Sequence, residues 1–515
     1  MEIVEIPFSK KHKYLSDALL DAGYDNIPSN RVINKTLTGI GATYQEIKAE
    51  RHSIIIEPNV PVIKGKVKAH PECFGIYKGR TAKQIIKYLQ KPLPAYKKLL
   101  TTPEGFCKIT EAAQELGIDI HTDYFCLFDE CEKIGQDLDY RATITFPIND
   151  FFNFTNKAFV SATPLKQVHE EFDKQGFKTL VVVPDFDYKV KLELIATDRI
   201  TARIGEKIKA LQDIDSKCIC IFFNSTKGIK DLINQFSWTQ ENCSVFCSDK
   251  SKTDLKVKDI VAHADFNPLN LNEINFFTSR YYSAVDFHLP HCPDVIMITD
   301  LVTADHSTID PLSEAIQIQG RFRDEHKNGK RFNSLCHITN FSHVEYLTQD
   351  ESVQELKEWM KTAEFLKDRY NQATNQKDKN SIEKQFKKCL IYPYLQTPNL
   401  ESAFKRNTFS LINKYNKERI ISYYSSETLC QAYKHETEYF DVTYLDEIDR
   451  SFSFDFSPKD IAKRYNNPKI SQKDIIKDIV QQLEMGINSD SILSSLKDAT
   501  TAERYEDVSN VICLY

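Results

Sequence analysis

Glycine is scarce in this chain, 15 of 515 residues, while lysine, asparagine, isoleucine and tyrosine are plentiful. We read that bias as a compositional habit of the source genome. The thirteen cysteines include no Cys-x-x-Cys pair, the nearest two being Cys218 and Cys220, which argues against a zinc ribbon or a disulfide framework and for reduced, mostly buried thiols. No apolar run reaches the ~20 residues of a membrane helix, and the acidic start from Met1 to Glu5 carries no signal-peptide pattern. A cytoplasmic location with no membrane partner is therefore expected. A global positive field is lacking too: the net charge is -6 and the pI near 6.2, so any nucleic acid must be met by a local groove.

What is present is enough chain for about three domains, with an ordinary 41% apolar and 27% charged composition. Residues 1–33 read as a polar lead-in with one helix, Tyr14 to Ala22. A short helix is expected from Thr43 to Arg51. Ser53 to Pro58, Ser-Ile-Ile-Ile-Glu-Pro, is an uninterrupted apolar run closed by a breaker, the pattern of a strand buried on both faces of a parallel sheet. Strand-like Cys73 to Tyr77, helical Ala82 to Gln90, strand-like Lys97 to Thr101, a helix from Thr110 to Leu116, and strands Asp123 to Phe128 and Lys157 to Val160 continue the alternation. That predicts a doubly wound parallel sheet.

A second alternating set begins near Phe177, with strands expected at Thr179 to Val183, Cys218 to Phe223, Ser244 to Phe246, Ile274 to Phe277, Val295 to Ile298 and Leu335 to Thr339. Asp185 to Ile200 reads as the hinge between the sets. The texture after Ser342 is helical, charged and aromatic, apart from a weak strand-like patch from Tyr439 to Tyr444. The expected domains are 1–185, 186–342 and a mainly helical 343–515.

The stretch Asn34 to Thr43, Asn-Lys-Thr-Leu-Thr-Gly-Ile-Gly-Ala-Thr, has the shape of a phosphate-binding loop. Such loops surround phosphates with backbone N–H groups, span the β and γ groups with a lysine, and hold magnesium with Ser or Thr. Gly39 and Gly41 permit close approach, with Thr38 beside them. Thr43 stands at the magnesium position and Ala42 where the lysine belongs. A glycine turn opening a helix would look the same. A second piece is the apolar strand ending in Asp129 and Glu130; the first carboxylate can hold magnesium and the second can polarise an attacking water, unless the pair is simply a surface feature.

With these pieces in place, residues 30–342 resemble the superfamily 2 helicases. Ser53 to Pro58 looks like motif Ia, Thr101-Thr102-Pro103-Glu104 like motif Ib, and Ser161-Ala162-Thr163 like motif III. Phe222-Phe223-Asn224-Ser225 resembles motif IV. Thr278-Ser279 with Ala284-Val285-Asp286 resembles motif V, with alanine in place of the usual glycine. Gln317-Ile318-Gln319-Gly320-Arg321-Phe322-Arg323 resembles motif VI.

The resemblance implies two tandem RecA-like domains with ATP and Mg2+ between them. It also implies a single- or double-stranded nucleic acid, DNA favoured, touched through Pro58, Thr102, Pro103, Asn224, Ser225, Thr278 and Ser279. Asp286 would contact nucleotide, and Gln317 with Arg321 or Arg323 would reach the γ-phosphate; which arginine does so is open, the other pairing with Asp324 or Glu325. A narrower likeness, Asn-Lys-x-x-x-Gly-x-Gly-Ala-Thr followed by Ile-Glu-Pro-Asn-Val-Pro, is to helicase-like proteins of crAss-like phages and related mobile elements of gut bacteria. It implies a host cytoplasm, a role in replication and replication proteins as partners.

Two routes can replace the missing lysine: Lys35 curling back onto the phosphates, or the motif VI arginines taking more of the charge. Lys35 can equally be a solvated side chain, and the protein a non-hydrolysing scaffold. A phosphate-loop ATPase acting on something other than nucleic acid is a further alternative, for which motifs Ia, Ib, IV and V have no obvious use. Towards the C-terminus Phe404, Lys405, Arg406, Lys414, Tyr415, Lys417 and Arg419 share an expected helix that can track a strand or be merely solvated. Ser457-Pro458 reads as a helix start, with helices at Asp460 to Tyr465 and Gln472 to Met485. Tyr423, Tyr424, Phe452, Phe454 and Phe456 read as core.

Overall fold

Why the strands are so apolar is visible in how they are covered. In the computed structural model, Ile54 and Ile56 join Cys126 and Phe128 in one cluster, while Ile55 joins Phe125 and Leu127 in another. Alternate side chains of one strand thus enter two cores, one on each face. The structure describes residues 1–448 except 137–140, 164–169, 256–259, 284, 342–348, 396–398, 405–422, 424 and 438.

Eight parallel strands make the first sheet: β1 (Ile3–Phe8), β2 (Arg31–Asn34), β3 (Ser53–Ile56), β4 (Phe74–Ile76), β5 (Lys98–Thr101), β6 (Phe125–Asp129), β7 (Asn156–Ser161) and β8 (Lys178–Pro184), in the order β1-β8-β2-β7-β6-β3-β5-β4. The second holds β9 (Val190–Thr197), β10 (Ile219–Phe222), β11 (Cys243–Phe246), β12 (Ala262–His263), β13 (Ile274–Phe277), β14 (Asp294–Thr299), β15 (Ser334–Thr339) and β16 (Phe440–Glu447), ordered β12-β11-β13-β10-β14-β15-β9-β16 and also parallel. Helices connect the strands, as parallel pairing requires. This is the expected α/β class, two parallel-sheet halves, and residues 1–447 form one compact unit.

Four expectations need correction. The polar lead-in contains two strands: β1 alternates exposed and buried positions at a sheet edge, and β2 is only four residues long, so neither shows a continuous apolar run. Lys178–Pro184 belongs to the first sheet, between β1 and β2. The stretch taken as a hinge holds β9, which leaves residues 185–189 to connect the sheets. The weak patch assigned to a helical domain is β16, paired with β9 from Val190↔Phe440 to Thr197↔Glu447.

Helices Gln349–Gln372 and Gln376–Phe386 follow the second sheet's first seven strands in the chain. They share a small core, Leu356, Leu366, Ile382 and Phe386 among them, with Ile144 of the first half. The described residues contain no helix long and apolar enough to cross a membrane. The expectations for Ala284, Ser342, Lys405 to Arg419, Tyr424 and everything from Phe452 onward lie outside the described residues. Tyr423 is fully buried.

Candidate active site

The C-terminal ends of parallel strands are where α/β sheets place ligands, and here the segments at the ends of β2, β3 and β6 line a cleft of about 670 Å³. From the second half it is lined by Ser283, Val285, Asp286, Arg321 and Arg323. The loop after β2 turns at Gly39, φ 76°, and Gly41, φ 86°, before helix Ala42–Lys48. At Gly39 the left-handed backbone disfavours a side chain, and the Arg323 guanidinium packs against its open face.

Lys35 is a buried cation of this site. It follows β2, its N–H donating to Ser161 O at 2.8 Å, and it is 6% exposed. Its ammonium lies 3.4 Å from Asp129 Oδ1 and 3.5 Å from Glu130 Oε1. Burial disfavours the charged form, but Asp129 and Glu130 outweigh it and hold the ammonium above its ordinary pKa. The solvated alternative for Lys35 is thus excluded. Ala42, by contrast, is 2% exposed and packs in an apolar cluster with Ile40 and Ile47.

Thr43 donates its hydroxyl to Asp129 Oδ2. The chain turns sharply after Asp129: Glu130 adopts φ 47°, rare for a residue with a Cβ, and its N–H donates to Asp129 Oδ1 at 2.9 Å. Burial would raise the Glu130 carboxyl, yet Lys35 and Arg321 outweigh it and hold it at about 2. Gln317 reaches across, Nε2 donating to Glu130 Oε2 at 3.0 Å and to Glu132 Oε1 at 3.3 Å.

Glu132 was missed by the sequence reading. Ser161 donates to its Oε2 at 2.5 Å, and burial together with the Glu130 charge pushes it well above the usual carboxylate range. Its one sequence signal is spacing, two residues beyond Glu130. Glu57, also unremarked, lies in the same cleft and is raised by burial and by Asp129.

The arginines share one partner. Arg321 NH1 lies 3.4 Å and Arg323 Nε 3.0 Å from Asp286 Oδ1, whereas Asp324 pairs with His288. The expected pairing of an arginine with Asp324 or Glu325 is not found, because Asp286 stands nearer. Arg321 is buried and tied to Ser283 O and Gln317 O at 2.8 and 3.1 Å; Arg323 is the more exposed and faces Gly39. Gly320 backs directly onto Thr38, where a Cβ would lie 2.3 Å from Thr38 Oγ1.

The residues expected to touch nucleic acid sit beyond the C-terminal ends of β3, β5, β10 and β13, with their polar groups largely engaged inside the protein. Arg141 NH1 donates to Pro58 O at 2.7 Å, and its Nε and NH2 donate to Glu104. Burial pushes the Glu104 carboxyl up, and Arg141 more than reverses that, to about 2. Thr102 caps the turn Pro103–Gly105, and Ser225 caps helix Thr226–Phe236. Asn224 Nδ2 donates to His306 O at 3.0 Å and its Oδ1 accepts from Ser279 N at 3.3 Å, while the Thr278 hydroxyl faces Phe246 O at 3.5 Å.

No protein family matches the chain, nor does any curated protein. Among solved structures it is similar to a variant of S. cerevisiae Dbp5 bound to Gle1 and IP6 (13% identity, 61% of this chain and 78% of that one, TM-score 0.40). Others are S. cerevisiae Dbp5 bound to RNA and ADP BeF3 (13%, 62% and 81%, TM-score 0.39) and a DEAD box protein of Methanococcus jannaschii (12%, 63% and 84%, TM-score 0.33).

Proposed function

We propose that the chain is an ATP-dependent helicase or translocase of superfamily 2, acting on nucleic acid, with DNA of a phage or mobile element as its substrate in replication. The observation that carries this reading is the buried Lys35 ammonium at the mouth of the loop, 3.4 Å from Asp129 and facing the cleft that Arg321 and Arg323 line. A cation there stands in for the one absent at Ala42.

The oxygen donors suit the implied cofactor: the Thr43 hydroxyl and the Asp129 carboxylate are hard ligands of the kind Mg2+ takes. Bound Mg-ATP would supply the phosphoryl group. Lys35, Arg321 and Arg323 oppose the negative charge that develops in transfer. Glu130, anionic at neutral pH, orients the attacking water, and Gln317 holds Glu130 from the other half of the cleft. The residues beyond 447, with the helices after 342, serve as the accessory part that selects substrate or partner.

Ala42 favours a second reading, a protein that binds nucleotide or nucleic acid without turnover, since its apolar setting leaves the usual lysine position empty of charge. Phosphate release by the purified chain with Mg2+ and single-stranded DNA or RNA separates the two. The first reading expects turnover above a Glu130→Gln control and its loss in Lys35→Ala. Equal release by wild type and control would leave the second. Whichever strand stimulates release names the substrate.

A further inference from the structure

Glu57 feels the positive charge of Lys66 and of Lys35, but its Oε1 has no hydrogen-bond donor among the described residues. Its N–H donates to Thr101 O at 2.8 Å, which fixes its backbone at the end of β3. The register Ile56↔Phe128 puts Glu57 beside Asp129 one step further along the two strands. Register neighbours on parallel strands are about 4.8 Å apart and project from the same face, and both residues line the cleft floor. Glu57 is 1% exposed, and its Oε1 is buried without a hydrogen-bond donor. A shielded, unmatched carboxyl oxygen beside a second carboxylate is costly unless something positive or hydrogen-donating joins them.

Lys35 does not fill that role, because its ammonium is the one shared by Asp129 Oδ1 and Glu130 Oε1. The unmatched Glu57 Oε1, the Asp129 carboxylate and the Thr43 hydroxyl that touches Asp129 Oδ2 all line this one cleft. Oxygen atoms from two adjacent carboxyls and a hydroxyl form a ligand set for a small hard cation. Resting on the nucleotide reading above, we propose that Glu57 is a further ligand of the metal site, so that a divalent cation of the Mg2+ class is held by Glu57, Asp129 and Thr43 together. With two carboxyl ligands from the protein the ion does not depend on nucleotide phosphates for its retention. The site binds metal in nucleotide-free protein and orders it before ATP arrives.

Mn2+ titrated into the full chain and followed by electron paramagnetic resonance, with and without ADP, tests this. Wild type is expected to take up one Mn2+ without nucleotide, Glu57→Gln to bind it at least tenfold more weakly, and Glu57→Asp to fall between them. Thermal melting shows that each variant is folded. Glu57→Gln or, if that variant does not fold, Glu57→Asp binding Mn2+ within twofold of wild type overturns the proposal, as does wild type that binds Mn2+ only when ADP is present. ADP binding measured separately in EDTA reports on the nucleotide reading. Its absence in wild type would overturn that reading alone, while the Mn2+ comparison still decides on Glu57.

Discussion

A lysine one residue ahead of a phosphate loop has no standing in a motif, and Lys35 acquires its significance from two carboxylates 94 and 95 positions further on, Asp129 and Glu130. Removing one partner of a buried ion pair leaves the others uncompensated, at about 3–5 kcal/mol. Lys35→Met should therefore lower unfolding stability at pH 7 by about that amount, measured by urea denaturation. The pH dependence has a definite sign. Glu130 sits at about 2 in the folded chain against an ordinary 4.5, so its contribution is complete above pH 4.5 and lost as the pH falls towards 2. Lys35→Met should flatten the stability curve through that window, and a mutant curve parallel to wild type would contradict the pairing. That Thr43 and Asp129 would meet was legible from residue type and spacing. Glu132 was not, because nothing local says that Ser161 and Gln317 would converge on it.

Two elements gain meaning from what they press against. The helix Glu314–Gln319 ends at Gly320, whose Cα abuts Thr38 of the loop. Gly320→Ala should push the halves apart and slow nucleotide turnover by about tenfold or more, the equivalent of ~1.4 kcal/mol, with partial recovery in a Thr38→Gly background; steady-state phosphate release measures both. The neighbouring Gln319 donates to the Tyr439 hydroxyl at 2.9 Å, so the segment leading into β16 also braces this helix. On β15, His337 is fully buried between Thr299 Oγ1 at 3.0 Å and Tyr433 OH at 2.8 Å. Burial holds it at about 3. The unfolded chain takes up its proton first as the pH drops below about 6.5, so stability declines from there towards pH 3. His337→Gln should lose less stability than wild type between pH 7 and pH 5, as read from urea midpoints. Strand β15 itself was legible as an apolar run, whereas the tyrosine that pairs with its histidine, Tyr433, comes about a hundred residues later in the chain.

For the whole molecule the C-terminal boundary of the second sheet is the sharpest consequence. Strand β16 covers β9, and Tyr423, Tyr433 and Phe440 fill the core with Leu192 and Leu194. A chain ending at residue 447 should elute on size exclusion as the full chain does and melt cooperatively. A chain ending at 422 should associate or precipitate, because an uncovered parallel strand and an opened core would face water. Equal behaviour of the two would show β16 to be dispensable.

By itself the sequence determined what is local: apolar runs long enough for buried parallel strands, glycines where the loop must turn, and adjacent carboxylates at the end of β6. The tertiary structure decided what depends on distant partners. It set the order of the strands, drew β8 into the first sheet and β16 into the second, buried Lys35 between Asp129 and Glu130, and left Glu57 beside Asp129 without a donor. The physical reason is that parallel pairing and ion pairing join residues tens to hundreds of positions apart, where periodicity along the chain carries no record of which strand will lie alongside which.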